Sequence, residues 1–186
     1  MTRRALPAFL LLAACSRPPE PLPSFQTIPA FTLTAQDGRT FASERELRGK
    51  VWVAGFIYTT CKGPCPRMSR LMKTAAGATS GLANVRYVSF TVDPEHDTPA
   101  HLDAYARRYA ADTRRWSFLT GTREQLHALM RDAFTLGDVD GSLNHSTRLV
   151  LVDARGTVRG FYGTADDADV PKLIAGIKQL AGESAP

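Results

Sequence analysis

Cysteine and histidine are scarce in this chain, with three of the first and four of the second among 186 residues. So few thiols exclude a disulfide framework, and so few of both exclude a zinc-finger array. No proline stands between Pro99 and Pro171. Long hydrophobic runs are also missing. The apolar stretch near the N-terminus, of about ten residues, would span only about 15 Å as a helix against a hydrocarbon core of about 30 Å. Charge of one sign does not accumulate either. The formal net charge of +5 is scattered along the chain, which argues against a nucleic-acid partner and against an electrostatic membrane patch.

The first fifteen residues read as a leader rather than as part of a fold. Arg3 and Arg4 precede the apolar run Ala5 to Leu11, which ends in Leu12-Ala13-Ala14-Cys15, a sequence that resembles a bacterial lipobox. The expectation is a signal peptide over 1–15, cut before Cys15, with acylation of that cysteine. Several acyl chains anchor firmly where one does not. The proline-rich stretch 16–27 reads as an extended tether, and 28–186 as a single domain large enough to bury a core. Loss of Arg3 and Arg4 leaves 21 basic residues against 18 acidic, a net charge of +3. This organisation places the domain on the extracytoplasmic, periplasm-facing side of a bacterial membrane. An oxidising compartment would tend to close its two remaining cysteines, so a thiol reductant is implied as a partner.

Those two cysteines are the centre of the sequence. Cys61-Lys62-Gly63-Pro64-Cys65-Pro66 follows Val51 to Tyr58, a run rich in β-branched and aromatic residues that reads as a buried strand. Pro66 suits the first position of a helix, which would put Cys65 at the N-cap. There the free N–H groups, the helix dipole and the flanking Lys62 and Arg67 all favour a thiolate, so depressed thiol pKa values are expected for the pair. A helical start would set both sulfurs on one face. A purely structural disulfide closing so short a ring contributes only about 2 kcal/mol. A redox pair of the thioredoxin type has two residues between its cysteines, and this pair has three. The wider spacing suits a metal ion.

A third ligand must come from His96, His101, His127 or His145. His101 and His127 fall in helix-like segments with solvated neighbours, and His96 in a polar loop. His145 differs, because it follows the glycine-containing loop 137–144 and immediately precedes the strand 147–152. In thioredoxin-like folds a proline occupies that place; here it is held by Asn144-His145-Ser146-Thr147. Two thiolates and one imidazole form a soft set that suits three-coordinate Cu(I), whereas structural zinc takes four protein ligands. Met68 could add a soft donor, but its spacing with Leu71 and Met72 reads as core.

The remaining pattern predicts a hairpin of 31–33 against 39–41, a strand over 85–92 and a helix from Pro99 to Ala110 capped by Asp97 or Thr98. A strand over 117–119 and a helix from Arg123 to Phe134 follow. The chain ends in a strand pair, 147–152 with 158–162, and a helix lined by Leu173, Ile174, Ile177 and Leu180. The fold class is α/β, a central mixed β-sheet flanked by helices with an N-terminal β-hairpin. Ligands in such sheets gather at the strand C-termini.

From Phe31 to Leu180 the chain resembles the Sco (SenC) family. The resemblance rests on Phe56-Ile57-Tyr58-Thr59-Thr60-Cys61 with Cys65-Pro66, on Val92-Asp93-Pro94-Glu95 with Asp97-Thr98-Pro99, and on Asn144-His145-Ser146. It implies a thioredoxin-like fold and a membrane-tethered copper chaperone that serves the copper-A subunit of cytochrome c oxidase. Copper, as Cu(I), Cu(II) or both, would be held by Cys61, Cys65 and His145, with Asp93 in a supporting role. An upstream periplasmic copper donor is then a further partner. The alternative is a thiol-disulfide reductase that acts on the oxidase's copper-binding cysteines through Cys61 and Cys65. A peroxidase is a weaker third reading, since it leaves Cys65 and His145 without a purpose.

Overall fold

A computed structural model of the chain describes residues 20–137 and 146–183. Strands β1 (Thr32–Ala35) and β2 (Thr40–Ala42) form the N-terminal hairpin, and Gly38 takes a left-handed φ of 79° in its turn. A short helix α1 (Ser43–Glu46) leads to β3 (Val51–Ile57), followed by α2 (Pro64–Ala78), β4 (Val85–Thr91), α3 (Pro99–Arg108) and β5 (Trp116–Thr120). Helix α4 (Arg123–His127) passes into a π-helical segment, Ala128–Ala133, before β6 (Leu149–Val152), β7 (Val158–Tyr162) and α5 (Val170–Glu183). The strands form one mixed sheet in the order β2-β1-β5-β4-β3-β6-β7. Strands β3, β4 and β5 run parallel, while β1 pairs antiparallel with β5 and β6 antiparallel with β3. The architecture is thioredoxin-like, with the hairpin extending one side of the sheet.

All seven residues of β3 are buried, because helices cover both faces of the strand. Val51, Val53 and Ile57 face α2, α3 and α5 in one apolar cluster. Trp52, Ala54 and Phe56 alternate to the other face, against Leu126, Leu129, Met130 and Phe134. Each of the larger of these side chains contributes about 1.5–3 kcal/mol by leaving water.

The segment expected as one regular helix over 123–134 begins with a capping box, in which Thr122 and Gln125 satisfy each other's backbone. It then widens. Phe134 donates its N–H to Leu129 O at 2.8 Å, five residues back. The wider turn delivers the Phe134 ring into an aromatic cluster, 6.0 Å from Trp52, 5.4 Å from Phe56 and 5.8 Å from Phe90. Helix α3 stops at Arg108 rather than at Ala110, because Ala110 adopts a left-handed φ of 47°.

From residue 20 onward, the stretch read as tether is bound to the domain. Leu22 packs against the core, Phe25 N–H donates to Val158 O, and Ile28 N–H donates to Gly156 O. Arg159 donates to Pro23 O at 2.7 Å and to Leu22 O at 2.8 Å, and pairs with Asp153 at 3.0 Å. These contacts fasten residues 20–28 along β7 and α5. Arg159→Ala is expected to accelerate amide exchange at Phe25 and Ile28 while lowering global stability by only about 1–2 kcal/mol. Hydrogen exchange and urea unfolding check the two halves of that expectation.

Candidate metal centre

The two cysteines lie where β3 leaves the sheet. Ile57, its last residue, is in register with Thr91 at the end of the parallel β4, so the loops after both strands emerge side by side. Strand β6 enters from the same end, since Ala54 pairs with Val150 in the antiparallel register. Ser146 to Arg148, which lead into β6, therefore arrive beside the exit of β3. Three segments far apart in sequence share one rim of the sheet.

Helix α2 starts two residues earlier than the sequence suggested. Gly63 is the N-cap and Pro64 takes the first helical position, where its fixed φ suits the helix and its missing N–H is not needed. Pro66 is accommodated two residues later, where backbone N–H groups still lack an intrahelical acceptor. Cys65 is therefore not the cap but lies inside the first turn, fully buried, while Cys61 is 6 % exposed. Neither is in a disulfide. The Cys61 N–H donates to Tyr58 O at 3.3 Å and closes the turn between β3 and α2.

The thiols behave oppositely. At Cys61, burial pushes the pKa up from 9.0, but hydrogen bonds from the Cys65 thiol, the Cys65 and Gly63 backbone N–H groups and the Tyr58 hydroxyl outweigh it. The net direction is down. At Cys65, burial dominates and the proton it shares with Cys61 adds to it, so its pKa is pushed up to about 12. The expected depression thus holds for Cys61 alone. The positive charges invoked for it also act elsewhere: Lys62 is exposed, and Arg67 donates to Thr164 O at 2.7 Å and pairs with Asp167 at 2.6 Å.

Two residues at the rim escaped the sequence reading. Tyr58 read as the end of a buried strand, yet its hydroxyl serves the Cys61 sulfur. That hydrogen bond, with burial second, pushes its own pKa up to about 12. Asp97 read as a possible helix cap, but the cap is Thr98, whose hydroxyl accepts from His101 N–H. The Asp97 carboxylate is fully buried and accepts from Thr59 N–H at 3.0 Å, from the Thr59 hydroxyl and from the Thr91 hydroxyl. Neither role carries a local sequence signal.

Asp93 is half-buried in the loop after β4, near enough to Tyr58 for its charge to raise the phenol's pKa. Met68 is buried in the core. His96 and His101 are exposed and stack on each other with ring centroids 4.6 Å apart. His145 and Cys15 lie outside the described residues. Among the described residues no group of three His, Cys, Asp or Glu could hold a metal ion, and no helix is long and apolar enough to cross a membrane.

The asymmetry of the thiols has a direct readout. In the reduced chain, iodoacetamide is expected to modify Cys61 well before Cys65, with a pH midpoint below that of an ordinary thiol. Tyr58→Phe removes a donor to the thiolate, so the Cys61 midpoint should move up and the rate at neutral pH should fall. Peptide mapping across a pH series checks both. Equal rates at the two cysteines would show that burial does not separate them.

The model of the SCO1/SenC family matches residues 20–182. The SCO1 protein homolog of Bacillus subtilis is 30 % identical over 179 residues, covering 93 % of this chain and 92 % of that one. Among solved structures, a SCO1/SenC family lipoprotein from Bacillus anthracis superposes with a TM-score of 0.76 at 32 % identity, covering 84 % of this chain and 95 % of its own. BsSco, described as a member of the Sco family of cytochrome c oxidase assembly proteins with a disulfide switch, gives a TM-score of 0.74 at 29 % identity, covering 84 % and 94 %. Bradyrhizobium japonicum ScoI, solved with copper bound, shares the fold at a TM-score of 0.67 and 23 % identity over 83 % and 99 %. With its family pattern spanning nearly the whole described domain, this chain belongs to the SCO1/SenC family.

Proposed function

We propose that the chain is a lipid-anchored copper chaperone that takes up a copper ion through Cys61, Cys65 and His145 and delivers it to the copper-A subunit of cytochrome c oxidase. The observation that carries the reading is the pair of mutually hydrogen-bonded thiols, outside any disulfide, at the rim where β3 exits and β6 enters. The donor chemistry fits the cargo. Two sulfur donors form a soft set, and an imidazole contributed just ahead of β6 would complete three-coordinate Cu(I). Cys61, already favoured as the thiolate, is the first donor, and Cys65 must lose its proton as the ion arrives. Release to the acceptor proceeds by exchange of these ligands one at a time. Copper-bound ScoI and the oxidase-assembly role ascribed to BsSco support cargo and destination. The lipoprotein character of the Bacillus anthracis relative supports acylation at Cys15 and a periplasm-facing position. An upstream copper donor is the remaining partner, and Asp93 supports the site from the neighbouring loop.

The opposite protonation of the two thiols favours a second reading, reduction of the oxidase's copper-binding cysteines. The Cys61 thiolate would attack a partner disulfide, form a mixed disulfide and release one partner thiolate. Cys65, on losing its proton, would then attack the Cys61 sulfur. The partner is released as a dithiol with two electrons gained, and Cys61–Cys65 is left as a disulfide.

An anaerobic Cu(I) competition titration of the reduced full chain, carrying Cys15→Ser so that two thiols remain, separates the readings. One copper per chain, bound about tenfold or more weakly after His145→Ala, supports the chaperone. Binding indifferent to His145 sinks the three-ligand site, and a His145→Ala chain that still reduces a partner disulfide then favours the reductase.

A further inference from the structure

Asp97 is a fully buried carboxylate, and among the described residues no Lys or Arg pairs with it. Its partners are neutral donors: Thr59 N–H at 3.0 Å and the Thr91 hydroxyl at 2.5 Å on Oδ2, and the Thr59 hydroxyl at 2.5 Å on Oδ1. Burying a carboxyl group is costly unless its oxygens are hydrogen-bonded, and a hydrophobic side chain would avoid that cost. Three donors converge on the two Asp97 oxygens, and a hydrophobic side chain would leave all three without an acceptor.

The two ends of this clamp lead to different parts of the centre. Thr59 sits within the turn whose flanks are Tyr58 and Cys61, closed by Cys61 N–H to Tyr58 O. Thr91 ends β4, and its oxygen also accepts the Asp93 N–H at 3.0 Å, while Asp97 N–H returns to Asp93 O at 2.8 Å. The loop that carries Cys61 and the loop that carries Asp93 are thus joined by hydrogen bonds to one side chain.

We propose that Asp97, acting through Thr59, is the positioning residue for Cys61: its buried carboxylate grips the Thr59 amide and hydroxyl and holds the Cys61 turn in the geometry that metal capture and dithiol chemistry require. Asp97 touches neither sulfur. Its effect is to keep Cys61 facing Cys65, which raises the effective concentration of one thiol at the other. The proposal rests on the reading of Cys61 and Cys65 as the working pair, but one arm of its test needs no metal.

That arm equilibrates the reduced Cys15→Ser chain with glutathione disulfide, in which protein dithiol and one glutathione disulfide give protein disulfide and two glutathione thiols. Thr59→Val removes the hydroxyl at nearly constant volume, and Thr59→Ser keeps it. Thr59→Val is expected to lower the equilibrium constant for the protein disulfide about fivefold. In the copper arm it should weaken Cu(I) binding about tenfold. Thr59→Ser should stay near wild type in both. Asp97→Ala, if it folds, should match Thr59→Val, and the double variant should add little. A Thr59→Val chain of lowered urea midpoint whose glutathione equilibrium is unchanged overturns the proposal, because the clamp would then be structural only. Loss of copper binding in the wild type with the glutathione arm as expected would sink the chaperone reading and leave the positioning role standing.

Discussion

Everything at the candidate centre depends on β3 being buried on both faces and gripped on both edges. A strand so enclosed cannot shift its register, since a slip of one residue would exchange Trp52, Ala54 and Phe56 for Val51, Val53 and Ile57 between two differently shaped clusters. Its exit point at Ile57 is therefore fixed to within the rigidity of the core. Gly55 shows how tight that core is: a Cβ there would stand 3.1 Å from both Leu149 Cδ2 and Met72 Cε, so α2 and β6 approach the strand where it lacks a side chain. The turn to α2 has only six residues, so Cys61 within it and Cys65 just beyond it inherit the strand's precision.

Protonation then follows from burial and direction. The sulfurs are four residues apart, one in the turn and one in the first turn of α2, and a reading by residue type treats them alike. In the folded chain Cys65 points into the cluster of α2 and loses contact with water, while Cys61 collects donors from Tyr58, Gly63 and Cys65. The proton settles on the sulfur for which charge is least favourable. Thiol exchange uses that asymmetry, since it begins with a single thiolate.

The surrounding loops are built to hold that geometry. Thr98 caps α3, leaving Asp97 free to turn inward, and the short run 93–98 folds back on Asp93 through hydrogen bonds from His96 and Asp97. Residues 20–28 bind along β7 and α5. Asn84 meets the end of α5 at Ala181, and Gln179 holds Glu20 O, which sets the start of the described chain beside the N-terminal ends of β3 and β4. The cysteines are at the opposite end of the sheet.

The alternation of strands and helices, the cysteine turn and the family were legible in the sequence, because periodicity, proline placement and short motifs act over a few residues. The hairpin at 32–42 and the faces of α5 follow from such local rules. The start of α2 was misplaced because two prolines compete for one position, and the π-helical widening before Phe134 was invisible because it serves an aromatic cluster on β3 and β4. The roles of Tyr58 and Asp97 were hidden for the same reason. Thr59 and Asp97 lie 38 residues apart, and only the parallel pairing of β3 with β4 brings them into hydrogen-bond range. The sequence by itself determined which residue types were available for the chemistry. Tertiary structure decided which thiol carries the charge and what holds it in place, because desolvation and hydrogen bonding depend on neighbours that only the folded sheet supplies.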